Sequence, residues 1–140
     1  MSWQILAVIS ALAAGATSVL AKVGLEDVPS NLANAVRTAI VLVLSLGVVF
    51  VTGQHKAMHK LDGHAWLYLT LSGVATAVSW VAYFKALELG SATPVTAIDK
   101  ASLAVTWLLS VAFLGEAFGW RAGLGVGMVC VGAFLMSSQK

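Results

Sequence analysis

Apolar residues run along this chain in five stretches, residues 3–23, 32–52, 65–87, 94–114 and 120–136, parted by short polar connections at 24–31, 53–64, 88–93 and 115–119. Each stretch approaches the ~20 residues with which an α-helix crosses ~30 Å of hydrocarbon. The pattern predicts an all-α, polytopic membrane protein: one domain over residues 1–140 with five transmembrane helices. Ser30, after Pro29, is expected to cap the second helix. Thr93 is expected to cap the fourth, with Pro94 in its first turn, where a missing N–H does no harm. Ala11 to Ala16 offers small residues at the spacing of a signal-peptide cleavage site. No Lys or Arg precedes it, however, and four more apolar stretches follow, so the first stretch is read as a retained span.

Composition sharpens this. The chain is 59% apolar and 10% charged, too little charge to coat a soluble domain. A net charge of +2 with no basic run gives nucleic acid nothing to hold. Cys130 is the single cysteine, so an intrachain disulfide and a cysteine-built metal site are both excluded; it is read as filling space in an apolar helix. His55 and His59 stand at helical i, i+4 spacing with Asp62 and His64 nearby. A solvated loop against lipid headgroups is the favoured reading there, and no metal or cofactor is expected. With no nucleophile–base pair and no phosphate loop, nothing points to an enzyme.

Five spans put the termini on opposite sides of the bilayer. The side of the N-terminus carries Lys56, Lys60 and Arg121. The other carries Lys22, Lys85 and Lys140, with Arg37 and Lys100 set deeper. So even a division specifies orientation weakly. Insertion both ways is the prerequisite for an antiparallel homodimer, in which two identical chains recreate an inverted repeat. At 1.5 Å per residue, Arg37 lies roughly 10 Å past Ser30 and Asp99 roughly 9 Å past Thr93. A charge at the centre of a span costs about 2.5–3.5 kcal/mol, so two opposite charges at one depth are expected to pair. Lys22 and Lys85 lie near enough to span ends to snorkel. Lys100 follows Asp99 directly and points about 100° away from it, so one of the two is expected to face a cavity.

Trp3, Trp66 and Trp120 stand at span ends, as an interfacial belt requires. Trp80 and Trp107 lie deeper and are read either as packing or as walls of an aromatic cavity. In the second reading Trp80, Tyr83 and Trp107 hold substrate, while Arg37, Asp99 and Lys100 form a polar gate or coupling site. Gly123 and Gly127 give the fifth span a small-xxx-small face for a protomer contact or for intrachain packing. Ala11, Ala14, Gly15 and Ser18 give the first span a similar thin face, lining a pathway or packing.

The run ALELGSATPVTAIDKASL (residues 86–103), the later LGE (114–116), the glycine-rich fifth span and NAVRT (34–38) together resemble the EamA-type transporters of the drug/metabolite transporter superfamily. The resemblance covers essentially the whole chain. It implies one five-span repeat of a fold commonly built from two inverted repeats, and hence pairing of two antiparallel copies into a ten-helix transporter. It implies alternating-access transport of small metabolites or drug-like solutes by a multi-pass protein of the prokaryotic inner (plasma) membrane. Glu116 is then a structural tether between the fourth and fifth spans. The related four-span multidrug transporters rely on a carboxylate in the first span, and this chain has none there. The competing reading is a subunit of a heterodimeric assembly that does not transport alone.

Overall fold

A computed structural model describes residues 2–138; Lys140 lies outside the described residues. The chain forms α1 (Trp3–Val23), α2 (Ser30–Val51), a 3₁₀ helix (Gln54–Lys60), α3 (Gly63–Leu89), α4 (Ala92–Lys100), α5 (Ser102–Phe113) and α6 (Trp120–Ser137), with no strand among the described residues. Five segments are long and apolar enough to cross a membrane: α1, α2, α3, α4 with α5 as one span (Ala92–Phe113), and α6.

The side chains are arranged inside out relative to a soluble protein. Leu12, Val43, Met128 and Phe134 are 71%, 67%, 75% and 71% exposed, while the buried apolar residues among those described are Leu25, Phe84, Leu87 and Ala133. In water each Å² of such surface would cost about 25 cal/mol. In hydrocarbon it costs nothing, and what must be satisfied instead is every polar group. The span hydroxyls meet that demand locally. Those of Thr17, Thr76 and Thr106 donate to the carbonyls of Ala13, Ser72 and Ser102, one turn back, at 2.9, 2.8 and 3.1 Å.

Helix ends follow specific residues. α2 stops where the Thr52 hydroxyl donates to the Val48 carbonyl at 2.7 Å and Gly53 adopts φ 70°, a left-handed turn open to glycine at little cost. Asp62 caps α3, its carboxylate accepting the Ala65 N–H at 2.8 Å. The chain leaves α5 through Gly115, at φ 67°. That turn carries the Glu116 N–H back to the Ser110 carbonyl.

Two expected caps differ. Pro29 occupies the capping position of α2, and no side chain caps from within that segment. Ser30 is the first helical residue and is buried, at 3% exposure; its hydroxyl and backbone N–H bond to the Glu88 carboxylate. The cap therefore comes from α3, held also by Lys85 at 3.0 Å. α4 likewise begins at Ala92, after Ser91, so Thr93 already lies inside the helix. Pro94 remains in the first turn, as its missing N–H requires.

The chain divides into two compact units. One holds α1 through Lys22 with the described residues from Leu89 onward; the other runs from Val23 to Glu88. In the first, α4 packs chiefly on α6, and α5 also packs on α6. The fourth span is broken at Ala101, where i→i−3 bonds replace the α-helical ladder: Ala101 N–H to Ile98 at 3.0 Å and Ala104 N–H to Ala101 at 2.9 Å.

Candidate functional site

Within the first unit, three helices each turn a stripe at helical spacing toward a shared space. α1 contributes Gly15 and Ser18, α4 contributes Thr93, Thr96 and Lys100, and α6 contributes Val129, Gly132 and Ala133. Because most of these residues are small, the helices leave a groove of about 440 Å³ between them. That is the size range of small-ligand sites. Its floor along α4 repeats at i, i+3 and i+7, one face of a helix, and ends in the last turn before the break. An ammonium is favoured in that last turn, at the negative end of the helix dipole.

The Lys100 Nζ lies 3.1 Å from Asp99 Oδ2, so the two charges neutralise each other across the side of α4. Lys100 reaches the groove wall, and Asp99 is not one of the lining residues. At the other end of α4, the Lys22 ammonium donates to the Gly90 carbonyl at 2.8 Å. Lys22 therefore does more than snorkel: it satisfies a carbonyl in the turn that leads into α4. Trp107 packs inside the same unit, 4.9 Å from the Phe118 ring and directly over Gly123. A Cβ placed on Gly123 would meet that indole at 3.3 Å, whereas one on Gly127 would meet nothing within 4 Å.

Within the second unit, Trp80, Tyr83, Phe84 and Leu87 occupy one face of α3 at i, i+3, i+4 and i+7. Arg37 of α2 lays its guanidinium over this face, 3.6 Å from the Trp80 centroid and 5.9 Å from that of Phe84. Tyr83 meets Trp80 edge to face at 5.4 Å. Arg37 and Asp99 thus belong to different units, and each has a partner in its own: aromatic rings for one, Lys100 for the other. One turn before Arg37, the Asn34 amide oxygen is buried with no hydrogen-bond partner. Such a group costs about 1–3 kcal/mol.

The structure brings Trp80, Tyr83 and Arg37 together, and joins Asp99 to Lys100. Sequence reasoning passed over the hydroxyls Thr93 and Thr96, although their spacing with Lys100 was a visible signal. Gly15 and Ser18 carried one too, as part of the thin face of the first span. The histidines of the connection at 53–64 go separate ways. His55 and His59 lie in a 3₁₀ helix, in which residues four apart point about 120° from one another, and His64 already belongs to α3. His59 donates from Nδ1 to the Lys56 carbonyl at 2.8 Å, while His55 and His64 lie against Phe50 and Tyr68. Asp62 is occupied as the cap of α3.

Residues 1–138 match the EamA-like transporter family. A curated protein of Sinorhizobium sp, described as "Uncharacterized transporter in cobO 3'region", is 41% identical over 136 residues, which cover 97% of this chain and 96% of that protein. No solved structure matches the chain. With five apolar spans, a groove among three of them and a match along nearly its whole length, the chain belongs to the EamA-like transporter family and is a multi-pass membrane transporter.

Proposed function

We propose that the chain is a secondary transporter of small organic solutes, working by alternating access as a pair of oppositely inserted copies in a prokaryotic inner membrane. The observation that carries the reading is the groove of about 440 Å³ that ends beside an Asp99–Lys100 pair at a break in the fourth span. Broken spans recur where transporters bind solutes, because an interrupted ladder frees backbone groups inside the bilayer and gives the half-helices room to move. Asp99 and Lys100 form the gate: both ride on α4 as a neutral pair, so moving that half-helix carries no net charge through the bilayer.

Within the second unit the stacked Arg37, with Trp80 and Tyr83, offers a further polar and aromatic surface for a solute, and within the first Trp107 offers an aromatic one. Gly127, with open space above it, is the protomer contact, whereas Gly123 is taken up within the chain by Trp107. The near-even division of Lys and Arg between the two sides supports two-way insertion.

The test is reconstitution of this chain alone into liposomes loaded with a panel of small metabolites, followed by exchange against labelled external solute. Exchange by the lone chain, lost in Asp99→Asn and Lys100→Gln, is the expected result. Exchange only after a second five-span chain is added would overturn the homodimer in favour of a heterodimeric assembly.

A further inference from the structure

We infer that the groove between α1, α4 and α6 takes an amphipathic organic monoanion, an apolar body bearing one carboxylate or sulfonate, with Lys100 as its anchor. The inference rests on the transporter reading above and deepens it by naming the charge and shape of the solute.

The wall decides the charge. The groove is lined by small and apolar side chains, by the hydroxyl residues Ser18, Thr93 and Thr96, and by a single full charge, which is positive. A cation entering it would find hydroxyls and no carboxylate among the lining residues, and would meet the Lys100 ammonium directly. A neutral solute would leave that ammonium unused. An anion finds a counter-charge in Lys100 and a hydroxyl in Thr93, and charge-assisted hydrogen bonds are roughly twice as strong as neutral ones.

Lys100 can take such a ligand without abandoning its present one. Its side chain is 57% exposed, and its ammonium carries three donors, of which the Asp99 carboxylate uses one at 3.1 Å. A carboxylate or sulfonate can therefore share Nζ with Asp99, or displace it, using the same chemistry that already holds Asp99 there. Geometry sets the body of the solute. From Thr93 to Lys100 is seven residues of α4, about 10 Å along the axis. Within that length the walls at Gly15, Val19, Ala97 and Gly132 offer only apolar contact. Aryl and short alkyl acids with one ionised head fit this description; sugars and dianions do not.

The experiment measures protection of a thiol placed in the groove. Ala97→Cys is introduced into a Cys130→Ser background, and its maleimide labelling is timed in detergent with benzenesulfonate, benzenesulfonamide or benzyltrimethylammonium present. All three share an apolar ring and differ in charge. The expected result is slowing by benzenesulfonate alone. Lys100→Gln should raise the half-protecting concentration by about 10- to 100-fold, the range for a hydrogen bond to a charged group, and Lys100→Arg should hold it near the parent value.

Equal or better protection by the cation overturns the assignment, as does unchanged protection in Lys100→Gln. If no probe protects, and stripping bound lipid speeds labelling, the groove seats an acyl chain and the inference is wrong. Metabolite exchange is run on the same preparations in liposomes. Exchange without sulfonate protection sinks the monoanion alone and leaves the transporter reading standing. Sulfonate protection without any exchange upholds the groove's preference and counts against that reading.

Discussion

The Arg37 stack shows, in magnitude, how this protein keeps a guanidinium inside a span. A bare arginine at the centre of a helix costs about 2.5–3.5 kcal/mol on insertion scales. Here its planar group lies 3.6 Å from the Trp80 centroid, with Phe84 at 5.9 Å, the outer limit for a useful cation–π contact. Desolvated contacts of this kind reach about 2 kcal/mol, so Trp80 can offset more than half of the cost and Phe84 contributes little. Trp80→Leu removes the ring and leaves the charge. Arg37→Leu removes the charge and leaves the ring. The double variant removes both, and the cycle isolates the stack from ordinary packing losses. A coupling energy of about 1–2 kcal/mol is expected from unfolding titrations of purified protein in mixed micelles, followed by circular dichroism. Trp80→Phe, which keeps a smaller π face, should retain part of it. Arg37→Lys should lose much of it, because an ammonium does not stack flat on an indole. If the single effects sum to the double within about 0.5 kcal/mol, the ring and the guanidinium are uncoupled and the stack does not stabilise the charge.

Other perturbations separate roles that look alike on paper. Glu88→Ala removes the carboxylate that caps α2 at Ser30, so amide hydrogen exchange at residues 30–33 should quicken while exchange in α6 does not change. Gly115→Ala forces a side chain into φ 67° and should cost about 1–2 kcal/mol in the same micelle titration, whereas Gly47→Ala, with no positive φ and open space, should cost nothing or stabilise. Gly123→Ala must push on Trp107 at 3.3 Å and should weaken the single chain. Gly127→Ala meets nothing within 4 Å in the chain, so if cross-linking captures the proposed antiparallel pair, its loss in that variant reports a protomer contact. A lone cysteine at Lys56, in a Cys130→Ser background, should label partly from outside and partly from within in intact cells. Labelling from one side only would remove the dual-topology dimer.

The spans could be read from the sequence because hydropathy is local and adds along a segment: nothing beyond about twenty residues is needed to recognise α1 or α2. Partner choice is not local. Counting residues placed Arg37 and Asp99 at one depth, but depth says nothing of azimuth. Which neighbour a side chain meets depends on the face it occupies and on what packs against that face. Arg37 found Trp80, which shares one face of α3 with Phe84, and that face was written in the sequence as an i, i+3, i+4, i+7 run. The cap of α2 illustrates the same limit. Pro29 and Ser30 announce a helix start correctly to within a residue, yet the group that satisfies the start is Glu88, near the far end of the next long helix.

The break at Ala101 is the instructive failure, because alanine is the best helix former and neither proline nor glycine stands nearby to announce an interruption. What marks the place is chemistry around it. Asp99 and Lys100 bond to each other sideways, and Ser102 begins the next helix. A span uninterrupted from Ala92 to Phe113 would hold Asp99 and Lys100 on a rigid rod, where moving either charge means moving the whole helix. Dividing it after Lys100 lets a nine-residue segment carry both charges and the Thr93–Thr96 face as one body. The half-helix whose face lines the groove is the half-helix that ends at the break, so under the transporter reading proposed above α4 is the segment expected to move as the groove fills. A cross-link that ties α4 to α6, such as a cysteine pair at Thr96 and Val129, should therefore stop exchange, and because both residues line the groove it should weaken binding there as well. Free exchange in the cross-linked protein would show that α4 does not need to move.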